Sequence, residues 1–238
     1  MIKEMAQENR TWGAEGIRGE LGMRVSKRSI QRYLPKKRLK SSQNWANFLK
    51  NHAGEIWACD FTVVHDLLFR PLYIFVIVEL KTRRILHYAV TAHPTDAWTS
   101  QQLREATPWG KAPRFLIHDR DRKFGALFSA LAAASNIKQL VTPFQAPKAN
   151  AICERFIGSL KRECLDHMFI LHQRHLRKVV AEYMGYYNRS RPHQGIQQRI
   201  PARLENSFSL SGRSAGKVIT RPVLGGLHHT YARASYVN

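Results

Sequence analysis

The chain has 238 residues, 44% hydrophobic, 10% aromatic and 23% charged. That is about one and a half average domains with the composition of a globular protein, not of a disordered, collagenous or disulfide-scaffold chain. No apolar run reaches the length of about 18 residues that a membrane-spanning helix needs, and the opening MIKEMAQENR is too polar for a signal peptide. Lys and Arg number 38 against 17 Asp and Glu, a net charge of +21, so the expected partner is a polyanion, with nucleic acid ahead of an acidic membrane surface.

The charge is unevenly placed. Arg24 to Lys50 holds nine of them and no acid, and Ser211 to Asn238 holds four and no acid. Residues 3–9 are expected as a short helix. Ala14–Leu21 reads as a second helix, Gly22 as the tight turn after it, and Ser26 as the N-cap of a third helix, Lys27–Leu34, that stops before Pro35. Ile17, Leu21, Val25, Ile30 and Leu34 would form a small core. Lys27, Arg28, Gln31 and Arg32 would stay outside, as on the recognition helix of a helix-turn-helix that contacts DNA. A helical hairpin with a solvated basic face has the same pattern. Residues 37–52 read as a basic linker carrying Trp45 and Phe48.

Beyond the linker, strands and helices alternate. Strands are expected at Ile56–His65, Leu72–Leu80 and Arg84–Thr91, as an antiparallel meander with a turn at Lys81–Arg83. Then come a helix at Thr95–Ala106, a strand at Arg114–Asp119, a helix at Lys123–Ser135, a short strand at Ile137–Thr142, and helices at Ala151–Met168 and His172–Tyr187. This is an α/β order: a mixed five-stranded sheet flanked by helices. The tail from residue 204 is basic, with a possible β hairpin around Leu224–Gly225–Gly226. Three widely spaced cysteines, Cys59, Cys153 and Cys164, suit a reducing compartment. The expected location is the cytoplasm, in association with the nucleoid.

Three carboxylates stand out by position. Asp60 lies inside a strand, where Asp is disfavoured. Asp119 closes a strand, and Glu154 opens a helix. Strand ends and a helix start can converge on one sheet edge and make an oxygen-rich site for two divalent cations, Mg²⁺ or Mn²⁺. Such a pair, ~3.5–4 Å apart, serves phosphodiester chemistry. Taken singly, Asp60 could pair with a lysine, Asp119 could cap the following helix, and Glu154 could favour its helix dipole. Asp121 is the rival of Asp119.

The runs WACDF, FLIHDRDRKF, KANAICERFIGSLKREC and YNRSRPHQGIQQRIPA resemble the integrase catalytic core of the D,D,E integrase and transposase family, the bacterial insertion-sequence branch more closely than the retroviral one. The resemblance covers residues 53–203. It implies an RNase H-like fold with Asp60, Asp119 and Glu154 as catalytic acids and metal ligands, and 34 residues separate the last two. It implies DNA contacts at Asn150 and Lys161, although a solvated surface lysine is an equal reading of Lys161. The segment with Arg191, Pro192 and His193 is expected to be structural or to touch the DNA backbone through Arg191. The organisation expected is a partial helix-turn-helix at 1–36, a linker at 37–52, the catalytic core with its C-terminal helices at 53–203 and a basic tail at 204–238.

The implied reaction is metal-dependent hydrolysis of a phosphodiester at an element's end, then transfer of the 3′-OH into target DNA. Partners would be element ends and target DNA, with a homo-oligomer on the DNA. No nucleotide cofactor is expected, since no GxxxxGK[ST] loop occurs, and no structural zinc, since no Cys precedes Cys59. The helix-turn-helix region is short for the bacterial branch, which leaves three readings open: a truncated remnant, a product of an internal start, or the second frame of a frameshifted element. The competing reading is a repressor-like DNA-binding remnant without strand transfer. A nuclease with the same core would cut without joining. A tyrosine recombinase would place Arg three residues after His193, where Ile196 stands.

Overall fold

The computed structural model describes residues 2, 4–5, 14–21, 26–33, 43–108, 111–142, 150–203 and 217–233. The chain divides into two compact units, Met1–Lys50 and Asn51–Asn238.

In the first unit, helix α1 spans Ala14–Leu21 and α2 spans Lys27–Tyr33. Ile17 and Ile30 are fully buried against each other with Ala14. The Ser26 hydroxyl accepts the Ser29 N–H at 3.1 Å, the N-cap bond expected of a serine there. Gly22, Val25, Leu34 and Pro35 lie outside the described residues, as does most of the helix expected at 3–9. The stretch expected as a linker is in part helical: α3 runs Gln43–Asn51. Its apolar spacing places Trp45 and Phe48 one turn apart, with rings stacked at 5.7 Å.

The second unit is built on a mixed sheet of five strands: β1 (Ile56–His65), β2 (Pro71–Glu79), β3 (Ile85–Thr91), β4 (Phe115–His118) and β5 (Lys138–Val141), in the order β3-β2-β1-β4-β5. β1, β2 and β3 form the antiparallel meander, whereas β1–β4 and β4–β5 are parallel. Alternation along β1 explains its two faces. Trp57 and Cys59 enter a core with Phe75, Leu116, Phe124 and Phe128. Helices α4 (Asp96–Ala106) and α5 (Ala126–Ala134) supply that core with Leu103, Phe128 and Ala132. Ile56, Ala58, Asp60 and Thr62 point to the opposite face, which α6 (Ala151–Glu163) and α7 (Gln173–Arg189) cover.

The cap of α5 comes from elsewhere in sequence. The Asp96 carboxylate accepts the backbone N–H groups of Gly125, Leu127 and Phe128 at 2.9–3.1 Å. A Cβ on Gly125 would sit 2.5 Å from an Asp96 carboxylate oxygen, so only glycine fits there.

The tail forms the expected hairpin, β6 (Val218–Val223) and β7 (His228–Arg233). Gly225 and Gly226 take positive φ in its turn, as glycine permits. It docks on α7. The Leu224 N–H donates to Glu182 at 2.5 Å, and the His228 ring stacks on Tyr186 at 4.7 Å.

Candidate active site

The parallel register of β1 and β4 pairs Ile56 with Phe115 and Ala58 with Ile117. Carried two residues further, it sets Asp60 opposite Asp119 at the carboxyl end of β4. A parallel pair keeps partners on one face, so both carboxylates are directed towards α6. Asp60 is half-buried, and its Oδ1 accepts the Phe61 N–H at 2.7 Å. Its carboxyl is pushed up to about 7, first by burial and further by the negative charges of Asp119, Glu154 and Asp121, against the lowering effect of that hydrogen bond. Asp119 accepts the Asp121 N–H at 3.1 Å. Asp121 is instead paired with Lys123 and accepts that residue's N–H at 3.0 Å. Of the two aspartates after β4, Asp121 already has its counter-charge.

Glu154 is exposed in the first turn of α6, where a negative charge is favoured by the helix dipole. Asn150 precedes that helix and is buried. Its amide donates to Cys59 O at 3.2 Å and to Asp60 Oδ2 at 3.3 Å, so it ties the start of α6 to β1. This departs from the DNA contact expected at Asn150, because the amide points into the protein. Lys161 lies two turns beyond Glu154 and is exposed.

Arg191 is engaged within the protein. It makes two hydrogen bonds to Glu163, at 2.7 and 2.5 Å, and lies 5.6 Å from the Tyr187 ring. A third contact, 3.1 Å to His193 Nδ1, completes the cluster. Of its two expected roles, these contacts are of the structural kind. Lys27, Arg28, Gln31 and Arg32 are exposed on α2 in the other unit, with Lys27 paired to Glu15 at 3.1 Å.

Asn150 therefore touches Asp60 directly, and the charges of Asp119 and Glu154 act on Asp60 from the same side of the sheet. The donor set fits a hard divalent cation in kind: all oxygens, with Asp60 disfavoured as an anion until positive charge arrives. Among the described residues, no three Asp, Glu, His or Cys side chains stand close enough together to hold a metal ion.

Two features were not legible from the sequence. One is the inward amide of Asn150. The other is a cavity of about 770 Å³ with Glu154 on its wall and Arg83, Arg155, Arg162 and Arg191 around it. Arginines scattered over 108 positions carry no local signal of convergence.

A five-stranded mixed sheet with this order and helices on both faces is the RNase H-like fold of integrase catalytic cores. Over 97% of this chain and 86% of the other, the structure superposes with a TM-score of 0.53 and 12% identity on a chain of the simian T-cell lymphotropic virus intasome, solved by cryo-electron microscopy with a PP2A regulatory subunit. Residues 135–201 match the family model described as the integrase core domain.

Curated relatives come from bacterial insertion elements. A protein of insertion element IS600 from Shigella sonnei is 28% identical over 68% of this chain and 60% of its own length. One of IS476 from Xanthomonas euvesicatoria is 27% identical over 65% and 45%. The transposase InsF of IS3A from Escherichia coli K12 is 26% identical over 67% and 57%. The chain is thus similar to proteins of insertion elements, a transposase among them, and its residues 135–201 match the integrase core domain. The matched region spans about half the length of these relatives. No helix among the described residues is long and apolar enough to cross a membrane.

Proposed function

We propose that the chain acts on DNA as a D,D,E transposase, hydrolysing a phosphodiester at an element's end and transferring the freed 3′-OH into target DNA, as a homo-oligomer on the DNA. The observation that carries this reading is the placement of Asp60 and Asp119 on the sheet face covered by α6, whose first turn carries Glu154. It is expressed in the register of β1 with β4 and in the charges of Asp119 and Glu154, which add to burial in raising Asp60. In this reading residues 53–203 are the catalytic core, residues 1–36 a DNA-binding helix-turn-helix, and the tail an added basic surface.

Asp60, Asp119 and Glu154 would hold two Mg²⁺ or Mn²⁺ ions. When bound, such ions ease deprotonation of the attacking oxygen and stabilise the leaving one. The protein's own part is positional. β1 and β4 present two carboxylates from a rigid sheet, and Asn150 fixes the Asp60 carboxylate and the start of α6. Water attacks phosphorus and leaves a 3′-OH. That 3′-OH then attacks a target phosphodiester in line and displaces a target 3′-oxygen, with one P–O bond made and one broken at each step. Lys27, Arg28, Gln31, Arg32 and Lys161 would hold DNA.

The test is strand transfer with purified protein, DNA carrying the element's ends, and Mg²⁺ or Mn²⁺. Asp60→Asn, Asp119→Asn and Glu154→Gln should each abolish joined product and leave DNA binding within a few-fold of wild type. Full joining by Asp119→Asn would overturn the assignment. A repressor-like DNA-binding protein is the second reading, favoured because no three Asp, Glu, His or Cys side chains among the described residues are grouped to hold a metal ion. It is identified by DNA binding that is unchanged in EDTA, with no cleavage or joining in either metal.

A further inference from the structure

The cavity beside Glu154 is walled by one face of α6, the β2–β3 turn and the segment after α7. Four arginines reach it, and their charges are balanced unequally. Arg191 is neutralised by Glu163. Arg83, in the β2–β3 turn, has a buried Nη1 with no hydrogen-bond partner. Arg155 and Arg162 are exposed on α6. For Arg83, Arg155 and Arg162, no carboxylate partner is found among the described residues.

A guanidinium atom withdrawn from water without an acceptor is costly. Here the neighbouring charge is also of the same sign, since Arg155 acts on Arg83 together with burial to disfavour its protonated form. Gly158 leaves the helix face bare beneath Arg162. A Cβ on Gly158 would sit 3.0 Å from Arg162 Nη1, so the guanidinium lies back over bare backbone. A glycine inside a helix costs about 1 kcal/mol relative to alanine, and at this position it leaves room for a cationic side chain.

Planar guanidinium forks match the oxygens of a phosphate and bind it bidentately. We propose that this cavity is a phosphate subsite in which Arg83, Arg155 and Arg162 hold backbone phosphates of a DNA strand that continues from Glu154 along α6. Only the identity of the ligand as DNA rests on the strand-transfer reading; the affinity for phosphate oxygens does not. The subsite fixes the strand's path on the side of Glu154 away from the sheet, and Arg191 serves it by holding the wall through Glu163.

The experiment measures binding of a labelled DNA duplex as a function of salt, for wild type, Arg83→Gln and the double variant Arg155→Gln/Arg162→Gln. The double variant changes two exposed helix residues and keeps the test valid if Arg83→Gln does not fold. Each phosphate contact contributes about 0.9 to the slope of log K against log salt. The slope should therefore fall by about one for Arg83→Gln and by about one to two for the double variant. Unchanged slopes in the folded variants would overturn the proposal. Thermal stabilisation of wild type by inorganic phosphate over chloride at equal ionic strength, with unchanged DNA slopes, would also overturn it and assign the cavity to free phosphate.

Asp119→Asn, run in parallel, separates this proposal from the strand-transfer reading. Reduced slopes in the arginine variants, together with no joining by wild type, would support the subsite and count against the chemistry.

Discussion

Glu163 illustrates how one residue can be read in both charge states. Burial alone would raise its carboxyl, but two hydrogen bonds from Arg191 and one from the Tyr183 hydroxyl outweigh burial and hold it below the usual range. A carboxylate depressed in the folded state contributes stability above its unfolded value of about 4.3, lost as pH falls through its folded value. His193 sits in the same cluster. Burial chiefly, with the charges of Arg191 and Arg83, lowers its folded value. The folded protein keeps the ring neutral while the unfolded chain takes up a proton below about 6.5, so stability falls as pH drops below that point. Thermal melts between pH 7.5 and 3 should show a steeper loss of Tm in wild type than in His193→Gln as pH falls below about 6.5. The excess loss in wild type over Glu163→Gln should begin only below about pH 4.5. Parallel curves for wild type and both variants would exclude this account.

At the scale of elements, α5 depends on a carboxylate 29 residues before Gly125. Asp96→Ala would leave three backbone donors at a helix start without their acceptor. Loss of a side-chain cap costs about 0.5–2 kcal/mol. For a chain of this size that is a fall in Tm of about 1–8 °C, measured by calorimetry, with Asp96→Asn recovering part of it. A Tm within 1 °C of wild type for Asp96→Ala would show that the cap carries no stability.

Elements whose signals are local were legible. β1 spans the expected Ile56–His65 and α1 the expected Ala14–Leu21, because alternation, helical spacing and punctuating residues all lie within each segment. The helix at Ala151 ends at Glu163, five residues before the expected Met168, and gives way to a tighter turn at Leu165–His167. Apolar periodicity continues through both and cannot tell them apart. α3 was hidden because the basic run before it reads as solvated chain. At the site, the meeting of Asp60 with Asp119 could be read from strand position. The inward turn of Asn150 could not, since a polar residue before a helix looks the same whether it faces water or a strand.

At the scale of the molecule, β1 is the hub of the sheet. Its pairing with β2 closes a loop of only a few residues, His65 to Pro71. Its pairing with β4 joins Ala58 to Ile117, 59 residues further along the chain. The entropy of closing a loop grows with its length, and non-local pairings form late. Pulsed hydrogen exchange during refolding should therefore protect the β1–β3 amides before those of β4, β5 and α6. Simultaneous protection of all five strands would contradict this order. Asp60 is thus in place early, while Asp119 and Glu154 arrive only with the last pairings. On the strand-transfer reading, the molecule becomes able to cut only at the close of its own folding. On that same reading, a chain emerging beside nucleic acid would stay harmless to it until the whole domain is made.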